Sequence, residues 1–462
     1  MSFILKSRFS DEIKQERIEE NIEDKENAEK AKRKQKAEEY VHLSYDNFLF
    51  HFTNEKQAIE NDIKKCKKME IHSYDRDFLW YIFLGILPYQ SSSNWNIIIT
   101  DKRSLYNSYK KELITKDIND FIEQKKIEKK FHEYFKFKEI LSEEEYHLLD
   151  IIKIDVKRTF QTIELFHLDK IQKILITILF IFSKKNEKIS YRQGMSELCA
   201  IFLYVLYKEQ RINNSFIKDN KTFIFYLFHS NNEFLESDTY TMFSKFMLNG
   251  FINFFYYNDP KYENSFLTKF DINQKKEITK SEIENSDDSE LKKRIYLIIY
   301  DKLSILDKNL YNFLSDKIEP DVFLFKWFIC VFTREFKINQ VLHLWDLIFL
   351  FEFFDKYYLK EGEIKNSQKE IEIDKKDNNK INEDKNKNDD ISNNEINLDK
   401  NYIFIDYIIL SMLFKIKNPI LKLKNISKIL AFLMNYPDDI DIKEIGQKAL
   451  DFYQKINPNN KI

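Results

Sequence analysis

With five glycines and six prolines among 462 residues, the chain has almost none of the residues that let a backbone turn sharply at short intervals. A β-sandwich or barrel needs such punctuation roughly every 8–12 residues, so those architectures are excluded and an all-α fold is expected. The same scarcity rules out a phosphate-cradling loop, because neither G-x-x-x-x-G-K nor G-x-G-x-x-G occurs in the sequence. Any nucleotide is therefore expected on a partner molecule. Core-forming material is ample, with 43% hydrophobic and 16% aromatic residues.

Apolar residues recur at helical steps through the middle of the chain. Phe78, Tyr81, Ile82, Gly85 and Ile86 share one face, as do Ile171, Ile174, Leu175, Ile178 and Leu179. This patterning predicts one multi-helix domain over 46–440. Residues 1–45 alternate acids and bases with few hydrophobes and read as a charged extension, either a solvated helix or disordered. Two polar low-complexity stretches interrupt the domain, a loop insertion at about 271–288 and a disordered run at about 361–397. Residues 441–462 are expected to form a C-terminal tail.

Charged residues make up 32% of the chain but leave a formal net charge of only -2. No overall basic field exists to hold nucleic acid. Cys66, Cys199 and Cys330 are far apart and lack C-x-x-C spacing, so they read as buried small hydrophobes in a reducing compartment. No metal site is expected. The most apolar runs, 174–182 and 198–207, meet charges well before a bilayer could be crossed. A soluble, cytoplasmic protein without a transmembrane segment is expected.

Two short segments carry the chemistry. The run 152–158 reads I-x-x-D-x-x-R, placing Asp155 and Arg158 one helical turn apart, where a carboxylate can orient a guanidinium. Alone, such a pair reads as a surface ion pair. The run 191–194 reads Y-x-Q-G, with Tyr191, Arg192, Gln193 and Gly194 immediately before an apolar helical run. Gly194 would allow a tight turn and place Gln193 at a loop-to-helix corner, its amide able to donate and accept. Alone, this reads as a turn before a core helix.

Taken together, the two segments resemble the signature pair of the TBC domain, the catalytic module of Rab GTPase-activating proteins. Further matches follow in order. Arg76 and Trp80, leading to Pro88, resemble the domain's opening R-x-x-x-W helix. Trp327, Phe328, Phe332, Phe336, Trp345 and Asp346 resemble its closing aromatic block, and 402–437 its last helical segments. Stretches 155–160, 191–198, 234–243 and 334–336 look most similar to the family's endosomal and autophagic branch. Cys199, Ala200 and Ile201 depart from the small residue and proline usual after the glutamine loop.

The resemblance implies a two-lobed all-α TBC fold and a GTPase activator acting in trans, with no hydrolase activity of its own. Arg158 would be an arginine finger and Gln193 a glutamine finger, both catalytic. Asp155 would orient Arg158, Tyr191 and Gly194 would shape the Gln193 loop, and Arg76 and Trp80 would brace the scaffold. Arg192 reads as a partner contact or a solvated side chain. The partner would be a GTP-bound Rab-family GTPase that carries the GTP and Mg²⁺ itself, with a trafficking coat or membrane-associated complex as a further partner. The chain would act in the cytoplasm, peripheral to endosomal or other vesicle membranes. The alternative is a TBC scaffold that binds a Rab or coat complex without stimulating hydrolysis.

Overall fold

The structure is a computed structural model that describes residues 45–72, 75–90, 92–123, 140–209, 233–258, 265, 278–354, 401–437 and 439–458. No β-strand occurs among them. The expected extension at 1–45, apart from its last residue, and the expected disordered run at 361–397 lie outside the described residues.

The first lobe is built from α1 (Glu55–Lys67), α2 (Arg76–Phe83), α3 (Trp95–Leu113), α4 (Lys116–Glu123), α5 (Glu143–Arg158), α6 (Asp169–Lys185), α7 (Met195–Glu209) and α8 (Leu235–Leu248). Helix α6 is its centre: residues 174–183 are buried on every face, as expected for a helix enclosed by others. Helices α3, α4, α5, α7 and α8 pack around it. The second lobe contains α9 (Lys280–Glu284), α10 (Glu290–Leu297), α11 (Lys308–Ser315), α12 (Asp321–Ile329), α13 (Ile338–Phe353), α14 (Phe404–Lys415), α15 (Ile426–Met434) and α16 (Ile442–Ile456). Here α13 is central and packs against α14 and α16.

Helix α2 joins the lobes, packing on both α7 and α13. Its Trp80 stacks on Trp345 of α13 with ring centroids 5.9 Å apart. Phe202 of α7 and Phe246 of α8 reach the same Trp345 ring at 5.4 and 5.6 Å. Buried ion pairs pin helices remote in sequence. Arg103 of α3 makes two hydrogen bonds to Asp238 of α8, at 2.8 and 2.6 Å. Arg294 and Lys302 share Asp406 of α14. Breaking such a pair by truncating one partner typically costs about 3–5 kcal/mol, because a buried charge is left alone.

Two sequence expectations are corrected. The expected tail at 441–462 is corrected over its described part, 441–458, because α16 lies along α14 and buries Ile445, Ala449, Phe452 and Tyr453. Its hydrophobes recur on one face only, and that face needs a tertiary partner. Part of 271–288 is also structured. Thr279 and Glu282 form a reciprocal capping box at the start of α9, and Ile278 and Ile283 are buried. A few well-spaced hydrophobes in a polar run suffice to dock a short helix.

Candidate functional site

Three segments converge beside the first lobe: the end of α5, the loop that opens α7, and the turn after α12. Helix α5 starts at Ser142, whose side chain accepts from the backbone of Glu145, with Glu143, Glu144 and Glu145 in the first turn. Lys157 and Arg158 occupy its last turn. This charge order suits the helix dipole. The helix stops where Thr159 turns to an extended conformation and returns its hydroxyl to the Asp155 carbonyl at 2.9 Å. The next residue, Phe160, has φ +43°.

The opening loop of α7 is equally constrained. Ser190 has φ +56° and Gly194 φ +101°. A Cβ on Gly194 would sit 3.4 Å from Ile329 Cγ2, so the loop lies directly on the end of α12. Two hydrogen bonds tie this loop to α5: the Tyr191 hydroxyl donates to Asp155 Oδ2 at 3.0 Å, and the Thr159 and Ser196 hydroxyls meet at 3.0 Å. Burial, and then the neighbouring Asp155 carboxylate, hold the Tyr191 phenol well above its usual pKa. It therefore stays a donor at any physiological pH.

Arg158 and Gln193 emerge from these tethered backbones. Both side chains are exposed, and among the described residues neither has a hydrogen-bond or ion-pair partner. The expected Asp155–Arg158 ion pair is not formed. Asp155 is half-buried and accepts from Tyr191 instead, because the tyrosine approaches from the inner side while Arg158 points to solvent. Asp155 thus orders the glutamine loop rather than the arginine. Arg192 is half-buried, with its Nε enclosed and lacking a hydrogen-bond partner.

The third segment was not among the residues that sequence reasoning assigned to the site. Arg334 reaches Glu197 in the first turn of α7 with contacts at 2.6 and 2.9 Å, and Thr333 donates to the same carboxylate at 2.8 Å. Hydrogen bonding to Glu197 raises the Arg334 pKa further above its already high value. The turn carries Val331 at φ +44° and Phe332 at φ +66°, and it is held by Trp345, whose indole donates to the Val331 carbonyl at 3.0 Å. Glu197 and Arg334 lie 137 positions apart, so no local spacing signals their pairing. Arg76 and Trp80 are one layer deeper. Arg76 makes two 2.8 Å hydrogen bonds to Asp346, and the Trp80 indole donates to the same carboxylate at 2.8 Å. They reach the site through α13, via Asp346, Trp345 and the Val331 turn.

Among the described residues no group of three or more His, Cys, Asp or Glu is placed to hold a metal ion, and no helix is long and apolar enough to cross a membrane. All three cysteines are buried and unpaired.

The helical scaffold presents an exposed arginine at the end of α5 and an exposed glutamine in the loop before α7, two segments joined by the Tyr191–Asp155 hydrogen bond. The model of the Rab-GTPase-TBC domain matches residues 75–359, more than half of the chain, and the chain belongs to the RabGAP-TBC family. It is 27% identical over 301 residues to human TBC1 domain family member 5, covering 59% of this chain and 34% of that protein. Identity to the TBC1 domain family member 5 homolog B of Dictyostelium discoideum is 32% over 177 residues, covering 37% of this chain and 16% of the homolog. The chain thus matches only about a third of the human relative's length. The crystal structure of the Ypt/Rab-GAP domain of Gyp1p superposes with a TM-score of 0.54 at 16% identity, covering 87% of this chain and 93% of that one. It shares the fold.

Proposed function

We propose that the chain accelerates GTP hydrolysis on a Rab-family GTPase, with Arg158 and Gln193 inserted in trans as its two catalytic side chains. The observation that carries this reading is the pair itself: two exposed side chains without partners, each on backbone that its neighbours over-determine. The neighbouring Phe160 and Ser190 have left-handed φ values, and strain of about 1–3 kcal/mol per such residue persists where surrounding contacts enforce it and clusters at functional sites.

Small GTPases are slow because charge on the transferring phosphoryl group is only partly stabilised. The Arg158 guanidinium is permanently charged and planar, and its fork of donors matches phosphate oxygens in a way lysine does not. The Gln193 side-chain carbonyl would accept from the attacking water while its amide donates to the partner's backbone. GTP and Mg²⁺ would belong to the partner, in keeping with the absence of a glycine-rich phosphate loop in this sequence. Arg192 would contact the partner beside Gln193. Exclusion of water on docking would strengthen each of these interactions. The likeness to TBC1 domain family member 5, with the sequence resemblance to the endosomal and autophagic branch, supports action at endosomal or related vesicle membranes.

Single-turnover phosphate release from a panel of GTP-loaded Rab proteins tests the proposal. At least one Rab should be accelerated, and Arg158→Ala should lower the stimulated rate by about 10³-fold or more. Gln193→Ala should also abolish most of the stimulation. GTP-dependent binding with no acceleration, or full activity in both variants, would replace this reading with that of a binding scaffold.

A further inference from the structure

A second site lies at the far end of α7. A cleft of about 730 Å³ opens between the end of α1, the start of α13 and the start of α16. Lys208 stands 13 residues along α7 from Met195, which at 1.5 Å per residue is about 20 Å from the Gln193 loop. The cleft is therefore separate from the two fingers.

Its lining holds more cations than acids in a chain whose net charge is -2. Lys208 and Lys443 line it together with Lys65, whose Nζ also donates to Asn47 Oδ1 at 3.2 Å and lies 3.7 Å from the buried Asp62 carboxylate, and Glu70 is its one acid. Arg76 also lines it, but its charge is balanced by Asp346 behind it. Lys443 is exposed and, among the described residues, has no side-chain partner. Lys208 Nζ touches only the Asn339 oxygen at 3.5 Å and the Tyr204 ring. Because Asn339 Oδ1 faces Lys208 and the Tyr204 hydroxyl, the amide nitrogen of Asn339 is left for the cleft. His343 has its Nδ1 3.5 Å from Arg76 and 3.6 Å from Asp346, leaving its second ring nitrogen available.

We infer that this cleft binds a multiply phosphorylated polyol, an inositol phosphate either free or as the headgroup of a membrane lipid. Three lysines around a single cavity match several phosphate groups on one small ring better than one carboxylate or one phosphate. The volume falls in the range of small-molecule sites, about 300–1,000 Å³. The floor is aliphatic, formed by Met69, Ile71 and Leu342, and offers no phenylalanine, tyrosine or tryptophan on which a nucleobase could stack. Ammonium groups act on phosphate as adjustable point charges, which suits a ring whose phosphates point in different directions.

The experiment is titration calorimetry on the full chain with inositol hexakisphosphate and with ATP. Flotation follows on phosphatidylcholine vesicles carrying phosphatidylinositol 4,5-bisphosphate, or phosphatidylserine at matched surface charge. Lys208→Ala and Lys443→Ala alter exposed side chains and should fold normally, which circular dichroism checks. Saturable binding of the inositol phosphate, of the phosphoinositide vesicles, or of both should weaken by at least about tenfold in the double variant, since two charge-assisted contacts are lost. Vesicle binding alone would assign the lipid as the source, and binding of the soluble compound alone the free polyol. Absence of binding to both probes, equal affinity in the double variant, or equal affinity for ATP or phosphatidylserine vesicles would overturn the inference. Arg158→Ala should leave binding unchanged.

Discussion

Asp155 and Arg158 sit three residues apart on α5, a spacing that favours an ion pair on an isolated helix. Tertiary packing redirects the carboxylate to the Tyr191 hydroxyl, and the arginine is left for a partner. Removing that hydroxyl in Tyr191→Phe should cost about 1 kcal/mol, the net worth of one hydrogen bond. Stimulated hydrolysis should fall more than Rab affinity does, because the change loosens the Gln193 loop and removes no partner contact. Equal losses in rate and affinity would remove the positioning role. Gly194 carries a second expectation. At φ +101° any side chain is strained whatever space surrounds it, so Gly194→Ala should destabilise the protein by about 1–3 kcal/mol. A urea unfolding midpoint identical to wild type would refute this. The motif at 191–194 was legible in sequence because it is local. The Glu197–Arg334 pair was not, because nothing local fixes the distance between residues 137 positions apart.

At the scale of elements, α16 carries the clearest expectation. Its Tyr453 meets Phe351 of α13 at 4.7 Å and Tyr407 of α14 at 5.1 Å, and Ser411 of α14 donates to the Ile445 carbonyl at 2.9 Å. Gly446 allows the close approach, since a Cβ there would collide with Met69 Sδ. Ending the chain at residue 440 should uncover the aromatic faces of α13 and α14. Each fully buried large side chain contributes about 1.5–3 kcal/mol, so loss of several should exceed the stability of a marginal domain. The expected readout is strong binding of an apolar dye and loss of cooperative thermal unfolding; retained cooperativity would show that α16 is dispensable. The periodicity of α2 and α6 made those helices readable in advance. The stretch that forms α16 was expected as a tail, because an amphipathic stripe does not say what covers it.

Several phenols and all three thiols are held in a low-dielectric interior. Burial pushes Tyr240 up to about 12 and raises Tyr81, Tyr106 and Tyr191 well above their ordinary values. The unfolded chain releases these protons near pH 10 while the folded chain retains them, so the folded state binds more protons in that range. Stability is therefore full below about pH 10 and falls as pH rises through the folded values. Tyrosinate absorbance should appear together with loss of helical circular dichroism. Titration of the full complement of tyrosines near pH 10 with the helices intact would contradict this. Cys330 is likewise raised to about 12, first by burial, and Cys66 and Cys199 are also raised by burial. All three thiols should resist a thiol reagent until the protein unfolds, and prompt labelling of any of them in the native state would disprove the enclosure.

Composition and periodicity determine that this chain is helical and that it lacks a phosphate loop of its own, and resemblance to a family's motifs marks the segments that hold Arg158 and Gln193. These properties are local or additive, and a linear sequence carries them in full. Only the tertiary structure decides that Asp155 serves the glutamine loop, that the turn at 331–334 buttresses that loop from another lobe, that α16 belongs to the core, and that lysines from α1, α7 and α16 surround one cleft. Each of these depends on which helix face meets which, and that choice is made by packing between residues tens to hundreds of positions apart.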